Sequence, residues 1–229
     1  MTIFKFALLR GIRDPLSLIV NCLTPLVLIL IRPFWTDGSV FGFGLMIFLV
    51  MSGAFLMSQS ILTDKLDGAI VRILAAPLTM RRYLAENLLS CTVPLLVQMA
   101  LVSLLGFILY DWSLTLSFAM FLCYTVLTLS MVGMSFAWHC LFKNKENGNT
   151  GFIFVIMLTA LLGGVVLPLE LLPGVLEYVG VVFPVYWAMR GMRYVLETGA
   201  IGIEYWMSIA ALLLFTAAFL LYGGKRRII

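Results

Sequence analysis

The segment DKLDGAIVRILAAPLTMRRYL, Asp64 to Leu84, collects Asp64, Lys65, Asp67, Arg72, Arg81 and Arg82 in a chain of which only 11% is charged. Side chains of these types form ion pairs and seat a helix on a partner; they provide neither a nucleophile nor a set of metal ligands. The other groups capable of chemistry are dispersed. His139, the single histidine, and Glu86 each fall near the end of an apolar run and read as interface residues rather than proton relays, Glu86 within reach of Arg82 four residues back. Cys22, Cys91, Cys123 and Cys140 have no CxxC spacing and no accompanying His pair, so they read as small core or lipid-facing residues. The GGKRR at Gly223 to Arg227 lacks the GxxxxGK[ST] spacing of a phosphate-binding loop, so ATP hydrolysis by this chain is not expected. A membrane-embedded enzyme is the poorest reading, since it would need converging His, Asp or Glu groups within the bilayer. No cofactor or metal is expected in the chain itself.

The elements that must position these residues follow from hydropathy. With 62% hydrophobic residues in apolar runs of bilayer length, the 229-residue chain reads as an all-α integral membrane protein forming a single transmembrane domain over 1–229. The runs do not alternate in polarity, which excludes an outer-membrane barrel. Six spans are expected at Leu16 to Ile31, Val40 to Ile61, Tyr83 to Leu109, Trp112 to Leu141, Gly151 to Pro168 and Ile203 to Tyr222. Residues 1–14 read as an N-terminal interfacial helix with Phe4, Leu8 and Ile12 on one side and Arg10 and Arg13 away from it. Topology anchor and gating or partner-contact element are equally open roles for it, and no cleaved signal peptide is expected.

Four segments that alternate along the chain hold 12 of the 15 basic residues: the N-terminus, the loop after span 2, the loop after span 4 and the C-terminus. Both termini are therefore expected in the cytoplasm. Between spans 5 and 6, Pro168, Pro173 and Pro184 with Gly174 and Gly180 divide residues 169–198 into pieces too short to cross. This stretch reads as two short re-entrant helices on the outer face, with Tyr186 and Trp187 at the interface.

Placed on a helix, Asp64 to Ala76 puts Leu66, Ala69, Ile70, Ile73 and Leu74 on one face and Lys65 and Arg72 on a flank, with Gly68 opposite and Pro77 as the stop. Two readings stand: a basic interfacial loop lying on anionic lipid, or a helix held by two spans and plugged into a groove on a cytoplasmic partner. No Asp, Glu, Lys or Arg falls near the centre of any span, which argues against proton- or ion-coupled carriers. Energy for transport would then arrive through a partner.

The order Asp64, Asp67, Gly68, Arg72, Ile73, Leu74, Pro77, Leu78, Thr79, Tyr83, Leu84 resembles the cytoplasmic loop of permeases of the type-2 ABC exporter family. A second block, Gly163, Gly164, Pro168, Leu172, Pro173, Phe183, Pro184, Tyr186 and Arg190, resembles the family's signature after span 5, and Arg13 to Leu16 with Pro25 resembles its entry into span 1. The resemblance implies a half-transporter. It pairs with a second copy or a homologous permease and with cytoplasmic ATP-binding cassette subunits that carry the ATP and Mg, in the bacterial plasma membrane, with lipids as neighbours and no nucleic acid partner. It makes 64–76 the coupling helix, with Asp64, Asp67, Gly68, Ile70, Arg72, Ile73, Leu74 and Pro77 at the ATPase. The expected cargo is amphipathic or hydrophobic: a drug, an antimicrobial peptide or a lipid-like molecule. A polysaccharide or lipid-linked glycan is the alternative within the family, and a non-transporting scaffold or sensor for an ATPase the alternative outside it. Met46, Met51, Phe55 and Met57 read as span-2 packing or as an adaptable lining.

Overall fold

The computed structural model describes residues 2–13, 19–35, 40–68, 80–139, 141–142, 144–166 and 178–225, and among these there is no strand. Helix α1, Thr2–Arg13, turns a half-buried stripe of Phe4, Ala7, Leu8 and Gly11 toward its neighbours and leaves Lys5, Phe6, Leu9, Arg10 and Arg13 exposed, as its 3.6-residue pattern requires.

The first span changes helix type along its length. A π-helical turn at Ile19–Leu23 runs directly into α2, Thr24–Leu30, and a 3-10 turn follows at Arg32–Phe34. Pro25 has no N–H to donate and its ring crowds the preceding turn, which accounts for the wider turn ahead of it, while Pro33 stops α2. Of the helix expected over Leu16 to Ile31, the described residues are helical from Ile19 to Leu30; residues 14–18 lie outside the described part.

Helix α3, Phe41–Leu66, passes through Ile61 and Asp64 without a break, because nothing between them disfavours the helix. It ends where Gly68 adopts φ 67°, a left-handed conformation that glycine takes without a Cβ penalty. Asp64 is thus in the last turns of a spanning helix rather than at the start of a new one. Helix α4, Met80–Leu109, contains Pro94, and α5, Leu114–His139, begins after Ser113, whose Oγ accepts from the Leu116 N–H at 3.1 Å. Helix α6, Lys145–Leu162, starts six residues before Gly151 because Asn144 caps it, its side chain accepting from the Glu146 N–H. Helix α7, Pro184–Thr198, and α8, Ile203–Lys225, are joined through Gly199 at φ 68°.

Helix α5 is the centre, packed by α3, α4, α7 and α8. Among the described residues four helices are long and apolar enough to cross a membrane, at Phe41–Asp64, Ala85–Leu109, Leu114–His139 and Ile203–Tyr222, and Glu146–Leu162 is a shorter apolar helix. Small residues let the backbones approach. A Cβ at Gly133 would sit 3.4 Å from Phe219 Cβ, and one at Gly191 would sit 3.0 Å from Ser208 Cβ. Hydroxyls bridge the helices: Ser130 Oγ donates to Leu212 O and meets Thr216 Oγ1, both at 2.7 Å, and Tyr205 OH donates to Ala119 O at 2.7 Å. Met46, Met51, Phe55 and Met57 are all buried in this core, so packing is their role within the chain.

Candidate functional site

At the end of the molecule that carries the charged loop, three helices converge on Asp64. Arg10 Nη1 of α1 lies 2.6 Å from Asp64 Oδ1, and Tyr83 OH of α4 donates to Asp64 Oδ2 at 3.0 Å. The helix that continues through Ile61 brings the carboxylate there, and Tyr83 arrives one turn into α4. Each carboxylate oxygen therefore has its own donor; both bonds are charge-assisted, and the one from Arg10 is also an ion pair. Burial first, and then the Asp64 carboxylate, hold the Tyr83 phenol above the usual tyrosine range, so that it stays protonated and donating; Tyr83 precedes the span that begins at Ala85.

Glu86, one turn further along α4, accepts the Phe4 backbone N–H with Oε2 at 3.1 Å. That N–H belongs to the first turn of α1, where backbone donors have no partner within the helix and the dipole favours a negative charge. Sequence reading paired Glu86 with Arg82, whose side chain lies outside the described residues; the described contact of Glu86 is to α1.

Of the loop residues expected to meet a partner, Asp64, Asp67 and Gly68 are described. Asp67 is exposed, and its N–H closes on Thr63 O at 2.9 Å. A Cβ on Gly68 would meet nothing within 4 Å, so its conformation rather than crowding selects glycine. Ile70, Arg72, Ile73, Leu74 and Pro77 lie outside the described residues, as does most of 64–76.

At the opposite end, Pro168 and Pro173 lie outside the described residues, and 178–180 are helical. Pro184 opens α7 at its first turn, where a missing N–H costs nothing. Tyr186 is buried, because the amphipathic α7 turns its apolar face onto α5 and α8. Arg190 sits at the rim, with Nη2 3.5 Å from Glu204 Oε2 and its guanidinium 5.8 Å from the Trp187 ring.

His139 is also buried. Its Nε2 lies 3.2 Å from Ser58 Oγ, and its ring stacks on Phe55 at 5.8 Å and Phe152 at 6.2 Å, so at the end of α5 it joins α3, α5 and α6. Cys91 and Cys123 are buried and free. Among the described residues no group of His, Cys, Asp or Glu could hold a metal ion.

Sequence reading did not single out an aromatic cluster at the end opposite Asp64. Trp35 meets Phe43 at 5.3 Å and Trp112 at 5.4 Å, Phe43 meets Trp112 at 5.2 Å, and Tyr110 lies 6.2 Å from Trp112. Its signal is the density of aromatic residues over Phe34 to Phe43 and Tyr110 to Trp112. Trp35 Nε1 donates to Leu28 O at 2.9 Å and Tyr110 OH to Ile29 O at 2.6 Å, which satisfies carbonyls in the last turn of α2.

Compared with known families, residues 36–224 match the sequence model described as ABC-2 family transporter protein. No curated protein matches the chain.

Proposed function

The chain belongs to the ABC-2 family of transporter proteins, a family of membrane transport components that work with an ATP-binding subunit, and from that premise we propose that it is the permease of an ATP-driven exporter. The family match over 36–224 carries the reading. Two copies of this chain, or this chain and a homologous permease, enclose the path, and two cytoplasmic ATP-binding cassette subunits supply the work. Six spans place both termini in the cytoplasm of a bacterial cell, and the loop after α3 receives the push, with Ile70, Ile73 and Leu74 seated on the ATPase.

The cargo is amphipathic or hydrophobic. Supporting this, α2 and the π-helical turn before it expose Leu23, Val27 and Leu30, and α6 exposes Phe154, Met157 and Leu161, while no charged residue stands among them. Such a surface suits greasy molecules and offers nothing to compensate the desolvation of a highly charged one. The test is co-purification followed by uncoupling. A soluble ATPase subunit encoded with this chain should stay bound in detergent, and Ile73→Asp should abolish permease-dependent ATP turnover while the chain still inserts. A wild-type chain that moves a hydrophobic dye across proteoliposomes without any ATPase would overturn the reading.

A further inference from the structure

Helix α1 is tied near each of its ends to a different leg of the loop 69–79. Near its start the Phe4 N–H is held by Glu86 of α4 at 3.1 Å; near its end Arg10 grips Asp64 of α3 at 2.6 Å. Tyr83 then joins the two legs directly by donating to the same Asp64. Phe4 and Arg10 are six residues apart, about 9 Å of helix, which matches the roughly 8–10 Å between the axes of packed helices. One rigid segment therefore reaches from leg to leg. A Cβ at Gly11 would stand in ordinary van der Waals contact with Met57 Sδ of α3, at 3.5 Å, so the bar lies against that leg.

We propose that α1 is a crossbar that makes α3 and α4 move as one body when the loop between them is pushed, with Arg10, Asp64, Tyr83 and Glu86 as its positioning residues. The inference rests on the coupling role given above to 69–79 and goes beyond it, because it assigns transmission to a helix outside the loop. A force applied to a two-legged loop can either translate both legs or splay them apart. The Asp64–Tyr83 bond resists splaying at one point, and the bar, which meets α3 at the same Asp64 and α4 one turn further along at Glu86, adds a second point displaced from it, so that a hinge about the Asp64–Tyr83 bond alone would break the bar's hold. An ion pair whose arginine is 49% exposed adds little to stability at the membrane surface, so its placement is better explained by position than by holding the fold together.

The experiment uses the full chain with its ATP-binding subunit in nanodiscs, in a background free of native cysteines. Spin labels at Lys5→Cys and Asp67→Cys, both exposed positions, report the spacing of the bar from the end of α3 without needing an ATPase. Arg10→Asp should broaden that distance distribution and lower permease-dependent ATP turnover by roughly 2- to 30-fold, the range of couplings carried by packed networks, with the amount of bound ATPase unchanged. The swap Arg10→Asp with Asp64→Arg should restore both, since Tyr83 can accept from an arginine at 64. Tyr83→Phe, which keeps the ring, serves where Arg10→Asp fails to fold, and should lower turnover in the same direction. Wild-type turnover in Arg10→Asp, whether or not the distances broaden, overturns the crossbar. If the wild-type chain retains no ATPase while its distance distribution is narrow, the coupling role falls, and transmission falls with it.

Discussion

Glycine 53 stands where three segments meet. A Cβ there would fall onto Asn21 Oδ1 and within 2.9 Å of Leu95 Cδ2, so the π-helical turn of the first span can lie on α3 only because position 53 has no side chain. Gly53→Ala should overpack this contact at a cost of about 1–3 kcal/mol. At roughly 2–4 °C per kcal/mol for a chain of this size, the melting temperature in detergent should fall by several degrees, as read by heating followed by size exclusion. An unchanged melting temperature would show that α2 is not seated as described. Ser130 offers a gentler case. Its hydroxyl bonds Leu212 O and Thr216 Oγ1 across the α5–α8 contact, and polar bridges between membrane helices average about 0.6 kcal/mol. Ser130→Ala should therefore lower stability measurably less than Gly53→Ala, because Thr216 keeps its own bond to Leu212 O at 2.9 Å.

Helix α2 is only seven residues long, about 10 Å, and cannot hold its place by itself. What fixes it is the aromatic cluster, in which Trp35 and Tyr110 donate to the carbonyls of Leu28 and Ile29. A Cβ at Gly106 would strike the Trp112 ring, so α4 is notched to receive that side chain. Trp35→Ala should cost about 3–5 kcal/mol, the range for emptying a buried aromatic site, and should speed amide exchange in 24–30 well before it does so in α5. Equal protection of α2 in the variant would move the anchor elsewhere. Four spans were legible from the sequence because a run of twenty apolar residues admits few alternatives to a helix. The change of helix type in the first span was less so: Pro25 was visible, but the seating of Asn21 of the π turn against Gly53 joins residues far apart in the chain. The same holds for the loop. Its charges singled out Asp64, yet the partners Arg10 and Tyr83 come from 54 and 19 residues away, and neither spacing carries a periodic signal. His139 is a related case, since its place near a helix end carried no sign that α6 covers it.

The ends of the bundle are marked by what meets at them. Arg10, Asp64, Tyr83 and Glu86 gather at one, while Trp35, Phe43, Tyr110 and Trp112 gather at the other with the start of α5, where Tyr205 reaches Ala119. Lys5, Arg10 and Arg13 belong to the first end, and Arg32 and Arg190 to the second. The loop 69–79 leaves from the first end, so the side on which it lies decides whether it can meet a cytoplasmic ATPase at all. The excess of basic residues predicts that the first end is cytoplasmic. In intact cells, with native cysteines replaced, a membrane-impermeant maleimide should label Ala200→Cys, an exposed position in the α7–α8 turn, and should label Lys5→Cys only after permeabilisation. The reverse pattern would put the loop, the crossbar and every basic segment on the wrong side for ATP, and no rearrangement within the bundle could return them, because the Arg10–Asp64 and Phe4–Glu86 contacts fix α1 to the same end as the loop.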